Sequence, residues 1–371
     1  MKIAFCTPFK PLNHPRISGD VTIARDLVET ITESGHEMVV LPFFPAKQID
    51  RKPWLWPEAA RTLREMIEQA RGADCWLTYG SYYKVPDVFG PAATRRLGIP
   101  YFLFQASYAQ KRGQRLATWA GYRLNRRAML RADHIFCNRV NDLKGCAKLL
   151  PSERYSHVKP GVPDGLFQRD ESARNRLREA WRVGDTPVVM TTAMMRPGVK
   201  SEGLRWVIES CAELLGKGID LKLVVAGDGP KRGEIEALAT QMLGERAVFP
   251  GFVDRAELGG VFSAGDVFAF PGLEESVGMV YLEAQLCGLP VVATDDEGAP
   301  HVVAHGRSGL VTSVDRRAFT DAMERLLTDP AYRNELGGQA AGYVKQHHIS
   351  GNSYREMTDI MERATTVRRQ K

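Results

Sequence analysis

Residues 269–293 read AFPGLEESVGMVYLEAQLCGLPVVA, and their pattern indicates the fold class of the chain. An apolar run ending at Pro271 is typical of a buried strand, and the acidic turn after it carries Glu275. Gly278 then precedes a stretch with helical spacing, and GLP at 288–290 leads into a second apolar run. Two consecutive strands joined through a helix run parallel in one sheet. The stretch therefore predicts a parallel α/β sheet.

The same alternation of apolar runs and amphipathic stretches extends through the rest of the chain. Residues 161–185, which begin GVPDG, interrupt it and mark the link between two halves. We predict an α/β protein with two Rossmann-like, doubly wound parallel-sheet domains facing a cleft. The domains are 1–165 and 166–350, and a C-terminal helix at 351–371 is expected to pack back toward the first. The predicted strands are 2–7, 37–44, 75–79, 101–105, 134–138, 157–160, 187–192, 220–226, 248–252, 266–271, 290–294 and 309–312.

Composition narrows the class of protein. The chain has 371 residues, of which 44% are hydrophobic and 25% charged, as in folded globular proteins and unlike disordered ones. It contains no run of about 18 apolar residues, and its start, MKIAFCTPFKP, lacks the pattern of a signal peptide, so we expect a cytoplasmic protein. Six scattered cysteines without a CxxC pair argue against a zinc site or a disulfide framework.

The positive charge is concentrated in the first half. Residues 1–170 hold 26 Lys+Arg and 16 Asp+Glu, a net charge of +10, whereas residues 171–371 hold 24 and 28, a net charge of −4. Arg95–Arg131 contains nine basic residues and no acidic one. Its helical part, with Trp119 and Tyr122 beside arginines, fits an anionic membrane surface or an anionic acceptor. A packed helix with solvated arginines fits equally well. Nucleic acid is not expected as a partner, because no recognition fold or RNP-like pattern accompanies the charge.

The acidic turn and the helix after it carry the most informative chemistry. Glu275 and Glu283 are separated by seven residues, which places one carboxylate in the loop and the other inside the helix. The amides of Ser276–Met279 lie at the helix N-terminus, where backbone N–H groups and the helix dipole bind anions. Carboxylates on both sides of an anion site accept hydrogen bonds from hydroxyls. A sugar nucleotide, with hydroxyls on both sides of a diphosphate, has this form.

This stretch resembles the E-x7-E signature of the retaining GT-B glycosyltransferases, family four. The resemblance extends to TPFKP and GDVTIARDLVETITESGHEMVV in the first loop and helix, and to HVKPGVPDGLF at 157–167. It continues in KLVVAGDGPKR at 222–232 and VFPGFV at 248–253. Five such segments in the family's order imply a GT-B fold and the transfer of a sugar.

The resemblance implies a role for each matching residue. Glu283 would bind the donor ribose, and Glu275 would contact the transferred sugar. Phe252 and Val253 would lie near the base. Arg196 and Lys200 would neutralise the diphosphate leaving group, and Gly19 would allow close backbone approach. The backbone amides of the helix N-terminus would hold the sugar and the distal phosphate; they belong to Ser276, Val277, Gly278 and Met279. The donor is then a nucleotide-sugar substrate, and neither a cofactor nor a metal is implied.

Three departures from the family pattern define further candidates. Gly19-Asp20 stands where many members have Gly-Gly, so Asp20 either caps the following helix or points to the acceptor. FLFQASYAQ at 102–110 lacks a histidine found in many members, which leaves Gln105 or Tyr108 in its place. AMM at 193–195 replaces GRL before the basic pair. His14, in the first loop, is a lesser candidate for contact with donor or acceptor.

The function expected is retaining transfer of a sugar from a nucleotide-diphospho-sugar to the hydroxyl of a sugar or lipid-linked acceptor. Cell-surface polysaccharide, lipopolysaccharide or glycolipid synthesis would use such a reaction, at the inner face of the membrane if the basic segment binds there. The alternatives are a sugar-nucleotide epimerase on the same fold and a relative that binds the nucleotide sugar without catalysis. An NAD-dependent oxidoreductase is disfavoured, because no GxGxxG follows the first strand of either half.

Overall fold

The computed structural model describes residues 1–14 and 18–370 and divides into two units. The first unit comprises Met1–Lys159 and Ser350–Lys371, and the second comprises Pro160–Ile349. The break thus falls a few residues before the one expected from sequence, and the helical pattern after 161–185 belongs to the second unit. Residues from 350 onward belong to the first.

The first unit is built on a parallel sheet. Within its described residues the sheet has six strands in the order β2-β1-β3-β4-β5-β6. The strand β2 therefore lies on one side of β1, and the later strands, from β3 onward, lie on the other side. The topological switch point is between β1 and β3. The elements are β1 Lys2–Cys6, α1 Gly19–Glu33, β2 Glu37–Val40, α2 Trp56–Gln69, β3 Cys75–Ser81, α3 Gly90–Leu97, β4 Tyr101–Ala106, α4 Leu116–Arg131, β5 His134–Cys137, α5 Val140–Cys146, β6 Tyr155–His157 and, from the chain end, α13 Ser350–Arg369.

The apolar runs become buried strands because helices pack against the sheet. Ile23, Leu27 and Ile31, the helical stripe visible in the sequence, are buried on α1. The end of the chain packs against the same helix: Thr30 and Ser350 share a hydrogen bond of 3.1 Å between their hydroxyl oxygens. Such burial of a continuous apolar stripe is the main source of stability for a surface helix.

Two elements of this unit differ from the sequence prediction. The helix expected over 110–131 is interrupted, because Arg115 is extended (φ −108°, ψ 121°) and separates a short 3-10 segment from α4. Gly113 allows this bend, since a Cβ at that position would lie 2.6 Å from the Tyr122 ring. The strand expected at 157–160 is instead β6, Tyr155–His157, which pairs with Ile135–Cys137. The prediction of a strand at 157–160 was therefore wrong in its bounds, because the strand begins two residues earlier and ends at His157.

The second unit repeats the plan. Across the residues described there, its parallel sheet has six strands in the order β12-β11-β10-β7-β8-β9, so the switch point lies between β7 and β10. The expectation of two Rossmann-like parallel-sheet domains is confirmed, although helices α8 and α9 were not predicted. The elements are α6 Glu171–Ala180, β7 Val188–Thr192, α7 Val199–Gly216, β8 Lys222–Ala226, α8 Arg232–Leu243, β9 Ala247–Gly251, α9 Arg255–Ser263, β10 Val267–Ala269, α10 Met279–Leu286, β11 Val291–Thr294, β12 Gly309–Thr312, α11 Arg316–Thr328 and α12 Pro330–His347.

The helices of residues 1–14 and 18–370 include none with both the length and the apolar composition that crossing a bilayer requires.

Candidate functional site

The switch point of the second sheet brings two loops together. Strands β7 and β10 are neighbours, with Val189 paired to Val267 and Met190 paired to Phe268. Their carboxyl ends therefore open at the same edge, one into the loop that carries Arg196 and the other into the loop that carries Glu275. Ligands of open α/β sheets bind at this edge.

The loop between β10 and α10 has a fixed shape. Gly272, Glu274 and Gly278 adopt positive φ angles of 73°, 53° and 80°. The Glu275 amide donates to the Gly272 carbonyl at 2.8 Å, and the Gly298 amide donates to the Glu275 carbonyl at 2.7 Å. A Cβ on Gly298 would lie 2.4 Å from that carbonyl oxygen, so only glycine permits this approach. The loop therefore presents Glu275 in one orientation.

The carboxylate of Glu275 forms an ion pair with the ammonium group of Lys200. Lys200 lies in the first turn of α7, and its Nζ is 5.2 Å from the centroid of the Phe270 ring. The two side chains are partly shielded from solvent, 32% exposed for Lys200 and 18% for Glu275. The neighbouring Glu274 is exposed, and its amide donates to Asp296 Oδ2 at 2.9 Å. Glu275, rather than Glu274, is thus the acid beside the lysine.

Arg196 does not join this pair. Its guanidinium is exposed and has no hydrogen bond or ion pair with a residue in the described part of the chain. The Arg196 amide donates to the Met194 carbonyl at 2.7 Å, and Ser201 Oγ donates to the Arg196 carbonyl at 2.5 Å. The backbone of the loop is therefore held in place, and the arginine side chain extends from it into solvent.

The start of α10 offers backbone amides for an anion. The helix begins at Met279, preceded by Gly278 in the left-handed region, and no side chain caps it. Val277 is buried and Ser276 is half-buried in the turn before it. A Cβ at Gly278 would lie 2.8 Å from the Tyr281 ring, so this residue fixes the chain entry. Uncapped N–H groups and the helix dipole together favour a bound anion.

The buried Tyr281 side chain contacts the loop between β10 and α10. Its hydroxyl donates to the Phe270 carbonyl at 3.1 Å. Burial raises the pKa of Tyr281 well above its ordinary value, and the charges of Glu275 and Asp296 raise it further. The phenol is therefore neutral at physiological pH and acts as a hydrogen-bond donor.

Glu283 lies farther along α10 and is 7% exposed. Arg255, the first residue of α9, approaches its Oε1 with Nε at 3.3 Å. The Arg255 guanidinium also lies 5.7 Å from the centroid of the Phe167 ring. A buried carboxylate needs such a cationic partner. Sequence reasoning did not identify Arg255, because an arginine opening a helix carries no distinguishing pattern.

Val253, predicted to lie near a base, is half-buried and packs against the core of the second unit. Its neighbour Phe252 is 64% exposed. Of the two residues predicted to lie near a base, Phe252 therefore presents an exposed aromatic ring, whereas Val253 packs against the core.

The candidates of the first unit lie in the loop after β1, in the first turn of α1, and at or just beyond the end of β4. Asp20 is inside the first turn of α1 and pairs with Arg139 at 3.3 Å rather than acting as the N-cap, a position held by Ser18. Apart from its chain neighbours and the backbone of its own helix, no atom of the described residues lies within 4 Å of the place where a Gly19 Cβ would be. His14 lies in a turn closed by its own amide, which donates to the Pro11 carbonyl at 3.1 Å.

Gln105 and Tyr108, the two replacements for the missing histidine, differ in their surroundings. Tyr108 shares a hydrogen bond with the Tyr122 hydroxyl at 2.8 Å. Gln105 is 8% exposed and has a φ of +58°, and no residue in the described part of the chain forms a hydrogen bond with its Nε2. A strained backbone and an unpaired buried amide are typical of a functional position.

Residues 1–14 and 18–370 contain no group of three or more His, Cys, Asp or Glu side chains arranged to hold a metal ion. Asp295, Asp296 and Glu297 follow β11, and the Asp296 carboxylate accepts the Glu274 amide. This acidic run therefore helps to shape the Glu275 loop.

Comparison with known proteins agrees with this geometry. Residues 186–329, within the second unit, match the family described as Glycosyl transferases group 1. The GDP-mannose-dependent alpha-(1-6)-phosphatidylinositol monomannoside mannosyltransferase of Mycolicibacterium smegmatis is 34% identical over 211 residues, which are 54% of this chain and 54% of that protein. The alpha-D-kanosaminyltransferase of Streptomyces kanamyceticus is 31% identical over 229 residues, covering 61% and 58%. The matches thus span only a little over half the length of these relatives.

Similarity of fold extends over the whole chain. The crystal structure of HepE from Anabaena in complex with UDP superposes with a TM-score of 0.76 at 17% identity, covering 98% of this chain and 100% of that one. The α/β fold of the GT-B type is therefore confirmed for both units.

Proposed function

We propose that this chain, whose second unit carries a glycosyl transferases group 1 domain, is a retaining glycosyltransferase that uses a nucleotide-diphospho-sugar. The observation that carries the proposal is the Lys200–Glu275 pair beside the uncapped N-terminus of α10. A cation, an acid and free amides within one loop system suit a substrate that joins a sugar to a diphosphate.

The ion pair suggests how the donor enters. Without donor, Lys200 neutralises Glu275; with donor, the ammonium group turns to the diphosphate and the carboxylate becomes free to accept hydrogen bonds from sugar hydroxyls. The exposed guanidinium of Arg196 reaches the same anion without breaking another contact. Two cations and the helix N-terminus stabilise the charge that develops on the leaving group, the role a metal ion has in other transferases.

In the proposed reaction the bond between the anomeric carbon and the diphosphate oxygen breaks. The acceptor oxygen bonds to the same carbon from the face that the diphosphate leaves, which retains the configuration. The acceptor proton passes to the departing phosphate oxygen. Glu283, oriented by Arg255, holds the ribose, so the nucleotide is anchored on the side away from the reacting carbon.

Glycolipid synthesis at a membrane surface is the setting we propose. One relative is named for transfer to a phosphatidylinositol mannoside, which supports a lipid-linked acceptor. Four exposed residues of α4 form an i, i+4 stripe, and the Arg123 guanidinium lies 5.5 Å from the centroid of the Trp119 ring. A groove of about 620 Å³ separates this stripe from the exposed ring of Trp56. The stripe consists of Trp119, Arg123, Arg127 and Arg131.

Arginines attract anionic headgroups, and tryptophan rings favour the interface between headgroups and acyl chains. The opposite face of α4 buries Asn125 and Met129 in the first unit, so the helix can present the stripe without unfolding. These features support peripheral binding to an anionic membrane.

A donor screen followed by matched variants tests the proposal. Thermal shift against UDP-, GDP- and ADP-sugars should identify a donor that raises the melting temperature. Transfer from that donor should be lost in Glu275→Gln and retained in Glu274→Gln, because only Glu275 contacts Lys200. Equal activity in the two variants, or no shift with any nucleotide sugar, would refute the assignment.

A further inference from the structure

A cavity of about 600 Å³ with arginines in its wall lies in the second unit, at the amino edge of the sheet. Pro187 and Asp266, which directly precede β7 and β10, form part of that wall. Because β7 and β10 are parallel, the loops that carry Lys200 and Glu275 leave the sheet at the opposite edge. The cavity is therefore separate from the candidate donor site. Its arginines are Arg174, Arg178, Arg182 and Arg333.

Two of these arginines, Arg174 and Arg178, form a fixed and mostly buried floor. They are 17% and 11% exposed, and both pair with the Asp266 carboxylate, at 2.7 and 3.0 Å. Both guanidinium groups also donate to backbone carbonyls, at 2.7–3.2 Å. Burial would raise the pKa of Asp266, but hydrogen bonds from Arg174 and the Val188 amide, with the charges of both arginines, lower it. Two cations thus meet one carboxylate, which leaves the floor with a net positive charge.

Arg182 adopts a backbone conformation that favours glycine. Just after the end of α6, the Val183 amide donates to the Arg178 carbonyl at 3.0 Å, and the Arg182 amide donates to the Glu179 carbonyl at 2.9 Å. This is the Schellman pattern of a helix end, in which the left-handed residue is usually glycine. Arg182 takes that place with a φ of +51°, so an arginine occupies it at a conformational cost.

Arg182 and Arg333 retain donors for a ligand. The Arg182 side chain is exposed, and its guanidinium forms no hydrogen bond or ion pair with the residues that the structure describes; Lys222 Nζ donates to the Arg182 carbonyl at 2.8 Å and fixes the backbone. Arg333, in the first turn of α12, is half-buried, and its Nη1 donates to the Leu326 and Leu327 carbonyls at 3.0 and 3.4 Å. Within the described chain, Nε and Nη2 of Arg333 have no acceptor.

The charge and the size of the cavity indicate one class of ligand. Four arginines and three carboxylates form its wall, a net charge of +1, although residues 171–371 carry −4. Asp266 is occupied by the floor arginines, and the other two carboxylates, Glu179 and Asp185, are exposed to water. Guanidinium groups bind phosphate oxygens with two parallel hydrogen bonds. The volume is that of a small-molecule site, so it accommodates several linked phosphates.

We propose that this cavity binds a small oligophosphate anion, which Arg182 and Arg333 contact above the positive floor. Inorganic triphosphate and the phosphate tail of a nucleoside triphosphate share this chemistry. Because Arg182 follows α6 and Arg333 belongs to α12, the bound anion links two helices and stabilises the second unit. The site lies outside the machinery of the transfer reaction, so the inference does not depend on the proposed function.

Arg182→Gly separates a binding role from a structural one, because it removes the guanidinium and relieves the left-handed strain together. Without ligand, this variant should raise the melting temperature by about 2 °C, since glycine suits the position. The matched control is Arg176→Gln, which changes an exposed arginine of α6 outside the cavity wall and should leave the melting temperature unchanged. A fall in Arg182→Gly would show that the arginine stabilises the folded chain and would overturn the inference.

Ligand binding is measured on the full chain by calorimetry at constant ionic strength. The probes are inorganic triphosphate, GTP, inorganic phosphate and, as the carboxylate alternative, citrate. Triphosphate should bind with a micromolar dissociation constant and more tightly than phosphate or citrate. Its affinity should fall tenfold or more in Arg182→Gly and in Arg333→Gln, and remain unchanged in Arg176→Gln. Tighter binding of GTP than of triphosphate identifies a nucleotide as the source of the phosphates, and equal binding identifies the inorganic anion.

Two further results separate this cavity from the candidate donor site. Triphosphate affinity should be unchanged in Lys200→Ala; a loss there without a loss in Arg182→Gly would assign the binding to the donor site and overturn the inference. Equal affinity for citrate, or unchanged affinity in both cavity variants, overturns it as well. Nucleotide-sugar binding is measured in parallel on the same samples. Triphosphate binding without nucleotide-sugar binding would refute the transferase and keep this site, whereas the reverse result would refute only this site.

Discussion

Removal of the Lys200 ammonium group should weaken both the binding of a nucleoside diphosphate and the transfer step. In Lys200→Ala the first turn of α7 keeps its backbone, and the Glu275 loop remains held by the Gly272 and Gly298 contacts. The protein should therefore stay folded while losing one positive charge at the proposed phosphate site.

The size of the effect follows from the surroundings of the lysine. Two unit charges about 4 Å apart near a protein surface interact by about 4 kcal/mol. Since the Lys200 side chain is 32% exposed, solvent screening reduces this to roughly 2 kcal/mol. A loss of that size lowers kcat/KM about 30-fold. Charge that develops only in the transition state can extend the loss to about 10³-fold.

Comparing the binding of a nucleoside diphosphate with that of the monophosphate shows which phosphate Lys200 contacts. Calorimetry should show weaker binding of the nucleoside diphosphate to Lys200→Ala and unchanged binding of the monophosphate, because the lysine is assigned to the distal charge. The control is Lys217→Ala, which removes an exposed lysine just after the other end of the same helix. Loss of less than threefold in kcat/KM, or equal loss for both nucleotides, would refute the role given to Lys200.

Three further predictions follow from the charges and burial described above. Burial lowers the pKa of His134 to about 4, so protonation of the unfolded chain should cost about 1–2 kcal/mol of stability as pH falls from 7.5 to 5; His134→Asn should remove this slope in urea titrations followed by circular dichroism. Calorimetry with EDTA should leave nucleotide-sugar affinity unchanged, because Lys200 and the helix N-terminus supply the positive charge; complete loss of affinity would contradict the metal-independent mechanism. Flotation with anionic vesicles should show binding that falls as salt rises and that is lost in Arg123→Glu/Arg127→Glu; binding that survives there, or is equally lost in the exposed α13 control Arg363→Glu, would refute a specific surface on α4.

The sequence was sufficient to predict the sheets and the loop that carries Glu275, because both depend on local patterns. Apolar runs of strand length alternate with helical stripes, and glycines at 272 and 278 stand where the loop needs positive φ angles. The charge of a side chain is local information as well. The ion-pair partner of a charged side chain cannot be identified from local sequence. Glu283 and Arg255 are far apart in the chain, and only the packing of α9 against α10 brings them together.

Pairing of buried polar atoms was equally beyond the sequence. FLFQASYAQ gave Gln105 and Tyr108 equal standing, yet one is strained and unpaired while the other is bonded to Tyr122. Whether a hydroxyl or amide is satisfied depends on which strands are neighbours and on their register, and both are properties of the folded sheet.

The local charge at each switch point differs from the net charge of the half that contains it. In the second unit, whose half has a net negative charge, Lys200 and Arg196 are the cations that we propose for an anionic donor. In the first, Asp20 and Arg139 form an ion pair, so these two charges cancel locally despite the +10 charge of residues 1–170. The excess charge lies instead on the exposed stripe of α4. Net charge in this half therefore bears on the membrane surface proposed for α4, which the flotation experiment tests directly.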